Sequence, residues 1–276
     1  VSVLLDGSLS LRVLHAGATS LAVLRSCERG VRRGGPDPVG FALTLAAGAV
    51  AGPDGGRVSL AGSAMRVPGF DDPARAAFAL SGKGPLPAAL AILDMAPLGL
   101  VSKLGLAPSA VAGRAEASAR LDFPLLKDLR VEQVAVSVEA ALFDARATPP
   151  GLDLALAAER LSLSADARRL RLRGDARLDG VPARIDWRET FSPAPGAPRS
   201  QVALAAEATP ERLAALGLDL REVLTGGRAP LSATLTAGEG DPRFTLSAEL
   251  GPAALALPAL GWTKPEGEAA RMTTLE

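Results

Sequence analysis

LRLRGDARLDGVPARIDWRETF, residues 170–191, is the stretch that decides the fold. Leu170 and Leu172 alternate with arginines, the dipeptide Asp179-Gly180 is a turn signal, and the alternation resumes after it. Side chains on a β-strand point to opposite faces in turn, so each half of the stretch has one apolar face and one charged face. The stretch therefore predicts two antiparallel strands that share an apolar side.

The same alternation recurs along most of the chain. It covers residues 9–13, 39–45, 111–123, 134–142, 202–204, 231–235 and 244–250. Turn sequences separate these segments, for example GPDGG at residues 52–56. The predicted fold class is mainly β, with a large antiparallel sheet that gathers its apolar residues on one face.

Two segments break the alternation and favour short helical regions. Residues 86–106 (LPAALAILDMAPLGLVSKLGL) are apolar without a period of two, and we expect two short helices that are kinked or broken near Pro97. Their uninterrupted apolar run is too short for a membrane span. In residues 209–217, Thr209 is a suitable N-cap, a proline follows at the first helical position, and Gly217 ends the helix.

Composition disfavours two classes of function. The chain has 276 residues, a net charge of zero and only 3% aromatic residues, which argues against a nucleic-acid binder. It holds one histidine, His15, and one cysteine, Cys27, and no G-x-S-x-G sequence, so a catalytic relay or a His/Cys metal site lacks its parts. We therefore expect a protein that is not an enzyme and has no cofactor.

Two polar clusters in loops have both a functional and a structural interpretation. Arg29, Arg32 and Arg33 could contact phosphate headgroups, but such clusters are more often solvated turns. Asp71 and Asp72 could bind a cation, but directly before a proline they favour a turn.

Several phrases follow one another in a characteristic order. They are the apolar stretch 85–106, AVAGRAEASARLDFPLLKDLRVEQVAV (110–136), the stretch 170–191 quoted above, LAALGLDL (213–220) and LALPALGWTKPEGEAARM (255–272). This order resembles the AsmA-like family of Gram-negative envelope proteins, in its YhdP/TamB-related branch of large repeating-groove proteins. The resemblance covers roughly residues 70–276.

The resemblance implies a long, highly curved antiparallel sheet, a half-pipe or β-groove, in the periplasm. It also implies that the groove shields phospholipid acyl chains between the inner and outer membranes. The chain begins with Val, shows no signal peptide, and its last residues still alternate. We therefore expect residues 1–276 to be one continuous segment of a larger protein, anchored in the inner membrane through parts outside this sequence. A subdivision into residues 1–84, 85–106 and 107–276 is an alternative description.

The residues expected to line the lipid groove belong to the apolar parity of the strands. They are Leu121, Phe123, Val134, Val136, Val138, Leu154, Leu156, Leu170, Leu172, Ile185, Trp187, Leu204, Leu235, Phe244 and Leu246. A closed sandwich gives the same alternation, because its core residues also occupy one face of each strand. The alternative is therefore a structural or interaction β-protein of the envelope with a closed apolar core.

Overall fold

A computed structural model describes residues 41–68, 74–95, 100–130, 133–148, 155–215 and 220–275. Several residues weighed from the sequence lie outside these ranges. They are His15, Cys27, Arg29, Arg32, Arg33, Asp71, Asp72, Pro97, Leu154 and Gly217.

The described residues are mainly β-strands. The strands are β1 (Phe41–Thr44), β2 (Ala49–Ala51), β3 (Arg57–Ser59), β4 (Ala64–Val67), β5 (Arg75–Pro85), β6 (Val111–Pro124), β7 (Ala135–Ala147), β8 (Leu156–Asp166), β9 (Arg169–Leu178), β10 (Val181–Thr190), β11 (Ser200–Ala208), β12 (Leu224–Gly227), β13 (Ala229–Ala237), β14 (Arg243–Glu249), β15 (Ala253–Leu257), β16 (Trp262–Lys264) and β17 (Arg271–Leu275). The α-helices are α1 (Leu86–Leu93), α2 (Leu100–Lys103) and α3 (Pro210–Ala215).

Most of these strands join in one antiparallel sheet. Its order is β1-β4-β5-β6-β7-β8-β9-β10-β11-β13-β14-β17, with β2 and β3 off this path and β3 paired to β5. A smaller sheet has the order β12-β15-β16. Consecutive strands therefore pair with one another over most of the chain, as short turns between antiparallel strands require. The prediction of a mainly β fold with a large antiparallel sheet is confirmed.

Backbone contacts divide the chain into two compact units. Within the described residues, the first unit holds β1 to β6 with α1 and α2, and the second holds β9 to β17 with α3. Strands β7 and β8 contribute residues to both. The finer division of the chain that the sequence suggested stays a prediction.

In the first unit, α1 covers the β2–β3 hairpin. Ala88 and Leu86 on α1 are buried, as is Val58 on β3. A Cβ atom built on Gly56 would lie 2.6 Å from the Cβ of Ala88, so the glycine permits the close approach of the hairpin to the helix. Part of the apolar sheet surface in this unit is therefore covered by the helical region.

Asp94 connects α1 to α2. Its Oδ1 accepts hydrogen bonds from the backbone N–H of Val101 at 3.1 Å and of Ser102 at 2.8 Å, and from Oγ of Ser102 at 2.7 Å. These amides belong to the first turn of α2, which has no intrahelical partners for them. The hydrogen bond from the Ser102 hydroxyl is the largest of the effects that lower the pKa of Asp94. The two predicted helices thus exist and share a carboxylate cap.

In the second unit, α3 begins as the sequence predicts. The backbone N–H of Arg212 donates to Oγ1 of Thr209 at 3.3 Å, and the N–H of Leu213 donates to the Thr209 carbonyl at 3.0 Å. Thr209 is therefore the N-cap.

Candidate functional site: an apolar sheet face

The strands of the second unit align their apolar residues in rows across the sheet. One row is Leu172, Trp187, Val202, Leu235 and Phe244, and the next is Gly174, Ile185, Leu204, Ala233 and Leu246. A third row is Ala176, Ala183, Ala206, Leu231 and Ala248. Residues opposite one another in antiparallel strands point to the same side, so these rows form one continuous surface, which we call the apolar face.

The apolar face is only partly covered. Ile185 at its centre is buried, whereas Leu172, Trp187, Leu204, Leu235 and Leu246 keep part of their surface exposed, and Phe244 is exposed. Isolated exposed apolar residues are ordinary, but contiguous ones signal a surface that another apolar group covers. The apolar face has this contiguous character.

A small core closes one end of the apolar face. Ala208 on β11 and Ala229 on β13 are buried together with Leu224 on β12 and Ala253 on β15. Leu213 of α3 is partly buried and packs against this cluster. The smaller sheet and α3 therefore cover this end.

The other end of the apolar face carries a row of polar residues. Glu189 follows Trp187 on the same side of β10 and lies opposite Ser200 on β11. Nε of Arg199 donates to Oε1 of Glu189 at 2.8 Å, and the indole Nε1–H of Trp187 donates to Oγ of Ser200 at 3.0 Å. The Glu189 side chain is 4% exposed and that of Arg199 is 47% exposed. We call Glu189, Arg199 and Ser200 the polar row, which Trp187 of the first apolar row borders.

The reverse side of this sheet is charged on β9 and β10 and carries mainly small or uncharged polar residues on β11 and β13. Arg171 donates from Nε to Oδ1 of Asp186 at 3.0 Å, and Arg188 donates from Nε to the same oxygen at 3.3 Å. The hydrogen bond from Arg171 is the main cause that lowers the pKa of Asp186 to about 2. The sheet therefore separates an apolar side from a solvated, ion-paired side, as the alternation predicted.

The first unit has a smaller apolar surface of its own. Phe78 on β5 lies opposite Met65 on β4 and Leu121 on β6, and its ring stacks with that of Phe123 at a centroid distance of 5.6 Å. A cavity of about 570 Å³ has Met65, Phe78, Leu121 and Val136 among its lining residues. Two of the residues that the sequence selected, Leu121 and Val136, thus meet at one cavity.

The residues that the sequence predicted to line the groove are distributed over the two compact units. Leu170, Leu172, Ile185, Trp187, Leu204, Leu235, Phe244 and Leu246 share one side of the sheet in the second unit. Five residues on or next to β6 and β7 belong to the first unit, namely Leu121, Phe123, Val134, Val136 and Val138. Leu156, at the start of β8, belongs to the second unit, and all six are partly exposed. Nothing in the structure contradicts their position on a partly covered surface, and their role in lipid binding stays a prediction.

Sequence reasoning did not select Leu161 or Glu189. Leu161 is buried and packs against Gly174, where an added Cβ would lie 2.8 Å from Cδ2 of Leu161. On β8 the buried positions switch from even-numbered Ala158 to odd-numbered Leu161, as happens at a β-bulge. Strict alternation counted from Leu156 therefore does not predict that Leu161 is buried. Alternation along β10 places Glu189 on the same side as Ile185, and this could have predicted its position. Its charge instead suggested the solvated side.

No family model, curated protein or solved structure matches this chain. The AsmA-like resemblance therefore stays a prediction. Across the described ranges, no helix is both long enough and apolar enough to cross a membrane. Within the same ranges, no group of three or more His, Cys, Asp or Glu side chains is placed to hold a metal ion.

Proposed function

We propose that this chain is a segment of a lipid-transport protein, in which the apolar face shields phospholipid acyl chains from water. The observation that supports this most is the set of three aligned apolar rows, whose large side chains other than Ile185 remain at least partly exposed. Transferring apolar surface out of water gains about 25 cal/mol per Å², so covering about 300 Å² of chain and protein gains roughly 7 kcal/mol without any specific contact.

The dimensions of the apolar face suit one acyl chain lying along the strands. From Val202 to Ala206 on β11 the side chains on this side are apolar and partly exposed, and this stretch spans about 13 Å. One leaflet of a bilayer has about half of the roughly 30 Å hydrocarbon thickness. The partly exposed part of the apolar face, between the small core at Ala208 and the polar row, is therefore about as long as an acyl chain of one leaflet.

The polar row provides a place for the polar end of such a lipid. Ser200, the indole N–H of Trp187 and the half-exposed guanidinium of Arg199 can exchange hydrogen bonds with a phosphate or ester group at this edge. The lining along the rows is mostly aliphatic, which provides van der Waals contact but no directional bond that would hold a chain at one position. These properties suit a surface along which a lipid moves.

The wider setting of this proposal rests on the resemblance. In it, the chain is one stretch of a periplasmic groove in a protein anchored in the inner membrane, and parts outside this sequence contact the inner and outer membranes. Phospholipid is cargo, no cofactor is needed, and no reaction is catalysed.

A photocrosslinking pair tests the proposal. Val202 lies in the first apolar row and neighbouring Gln201 is exposed on the reverse side of β11. A photoreactive residue at Val202 should crosslink to phospholipid in cells, and the same residue at Gln201 should not. Equal labelling at both positions, or labelling at neither, would count against an acyl-chain surface.

The second candidate is a structural β-protein whose apolar residues form a closed core. The buried cluster of Ala208, Leu224, Ala229 and Ala253 favours it, because this end of the face already has its own cover. It differs from the first proposal in its expectation of a dry, lipid-free protein after mild purification.

A further inference from the structure

The hairpin between β15 and β16 carries an exposed apolar tip that the proposed groove does not use. Leu257 lies opposite Trp262, and a 3₁₀ turn, Pro258–Leu260, joins them. Leu257 is 37% exposed, Leu260 76% and Trp262 44%. We call residues 257–262 the tip.

The tip belongs to a stretch without charge. Residues 250–263 contain no Asp, Glu, Lys or Arg. Leu220, another exposed leucine, lies just before β12 at the same end of the smaller sheet, where the N–H of Ala256 donates to the Val223 carbonyl at 2.9 Å. Large aliphatic side chains and a tryptophan are therefore gathered at one end of this sheet, and a contiguous exposed apolar patch marks an interaction surface.

The base of the hairpin is held rigidly. Lys264 is buried, and its Nζ donates to the carbonyls of Gly251, Ala253 and Pro265 at 3.1, 2.8 and 3.0 Å. Gly261 takes the left-handed conformation that closes the turn, with φ of 61°, which a side chain would disfavour. The tip is thus presented in a fixed conformation and needs little ordering to bind.

We propose that the tip inserts into the interface of a lipid bilayer. A convex uncharged turn with an aliphatic apex fits a fluid apolar medium, and tryptophan prefers the boundary between that medium and water because its indole N–H can bond there. The charged residues nearest the tip along the chain are Lys264, which is buried on three carbonyls, and Glu266, which is exposed. Arg221 and Glu222, which follow Leu220, carry opposite charges, so no cationic patch borders the tip. Attachment therefore depends on apolar contact, does not require anionic lipid, and is independent of acyl-chain binding on the apolar face.

Fluorescence of Trp262 tests the proposal. Trp187→Phe leaves Trp262 as the single tryptophan of the two in the chain. On adding phosphatidylcholine vesicles, its emission should shift to the blue, and lipids brominated along the acyl chain should quench it. Because a single short tip gives weak and reversible attachment, a high lipid concentration is used. Raising the salt concentration or adding anionic lipid should leave the affinity unchanged.

Two leucine variants make the test specific. Leu260→Ser should weaken vesicle binding about tenfold or more, since it removes a large apolar side chain from the apex. Leu126→Ser changes an exposed leucine between β6 and β7 and should bind like the parent. Circular dichroism checks that both variants fold.

Three results would overturn the proposal. One is emission from Trp262 that vesicles leave unshifted and unquenched. Another is equal binding by the two leucine variants. The third is a blue shift that appears without vesicles and grows with protein concentration, because the tip would then pack against a second copy of the chain.

Discussion

Oε1 of Glu189 accepts a hydrogen bond from Nε of Arg199 at 2.8 Å, at the end of a sheet face that is otherwise apolar. The carboxylate is almost completely buried, and its partner is half exposed. A buried charge is tolerated only when it is paired, so this contact marks the end of the apolar face on β10 and β11.

The first prediction concerns the free energy of unfolding at this ion pair. Arg199→Met should lower it by about 2 kcal/mol, because a buried carboxylate loses its partner; exposure of Arg199 keeps the loss below that of a fully buried pair. Glu189→Gln should cost less, since the amide is neutral. Urea unfolding followed by circular dichroism measures both variants.

The matched control for this prediction is Arg184→Met. Arg184 also forms an ion pair, with Asp175 at 3.2 Å, but both side chains are highly exposed. Its loss should change the unfolding free energy by no more than about 0.5 kcal/mol. Equal effects at Arg199 and Arg184 would contradict the burial argument.

The second prediction concerns pH and the charged side of the sheet. Asp186 has its pKa lowered to about 2 by Arg171 and Arg188, below the value of an unfolded chain. A carboxyl group whose pKa is lower in the folded chain than in the unfolded chain stabilises the fold at pH values above its unfolded pKa. This stabilisation is lost as the pH falls through the folded pKa. Asp186→Asn should therefore destabilise the protein by about 1 kcal/mol at neutral pH, and the difference should vanish as pH falls from about 4 to about 2. Unfolding curves of the two proteins across this pH range measure it.

The third prediction concerns the close approach of β8 to β9. A Cβ at position 174 would lie 2.8 Å from the backbone oxygen of Arg160 and 2.8 Å from Cδ2 of Leu161. Gly174→Ala should therefore lower the unfolding free energy by about 1–3 kcal/mol through overpacking. Gly82→Ala in β5 is the control, because its Cβ would lie at an ordinary 3.7 Å from Cγ1 of Val58. An unchanged thermal unfolding midpoint for Gly174→Ala would contradict this prediction, because it would show that β8 can move away from β9.

The fourth prediction concerns the cap between α1 and α2. Asp94→Ala removes the acceptor of the Val101 and Ser102 amides, so hydrogen exchange at both should accelerate while exchange within β6 stays unchanged. The lowered pKa of Asp94 means that the wild-type cap should persist below the usual titration range of an aspartate. Unchanged exchange at Val101 would show that the cap is dispensable.

Alternation predicted the apolar face well where the strands are regular. From β9 to β14 the pairing keeps one parity, so Leu172, Trp187 and Leu235 lie in one row as the pattern requires. It fails where an irregularity shifts the parity. On β7, Asp144 has φ of 51°, and burial passes from the even-numbered Val138 to the odd-numbered Ala145. A local bulge leaves no clear mark in a sequence of small residues.

The alternation pattern also did not predict which charged residues are buried. Glu189 and Lys264 are buried because tertiary partners satisfy them, namely the Arg199 guanidinium and three backbone carbonyls. Charge alone places such residues in water. Their burial depends on contacts between strands that a single sequence does not reveal.

Native mass spectrometry with lipid extraction tests the central claim most directly. The full chain is expressed in the periplasm and purified under mild conditions beside Leu204→Glu and Ala205→Glu. Leu204 lies in the second apolar row, while Ala205 is exposed on the reverse side of the same strand.

The proposed groove predicts phospholipid bound to the wild type and to Ala205→Glu, and its loss from a folded Leu204→Glu. A lipid-free wild type would contradict the groove and favour the closed structural protein. Lipid retained equally by all three folded proteins would contradict a role for the apolar face. If Leu204→Glu does not fold, Leu235→Ser is the substitute, since it adds a polar group to the first apolar row without a charge.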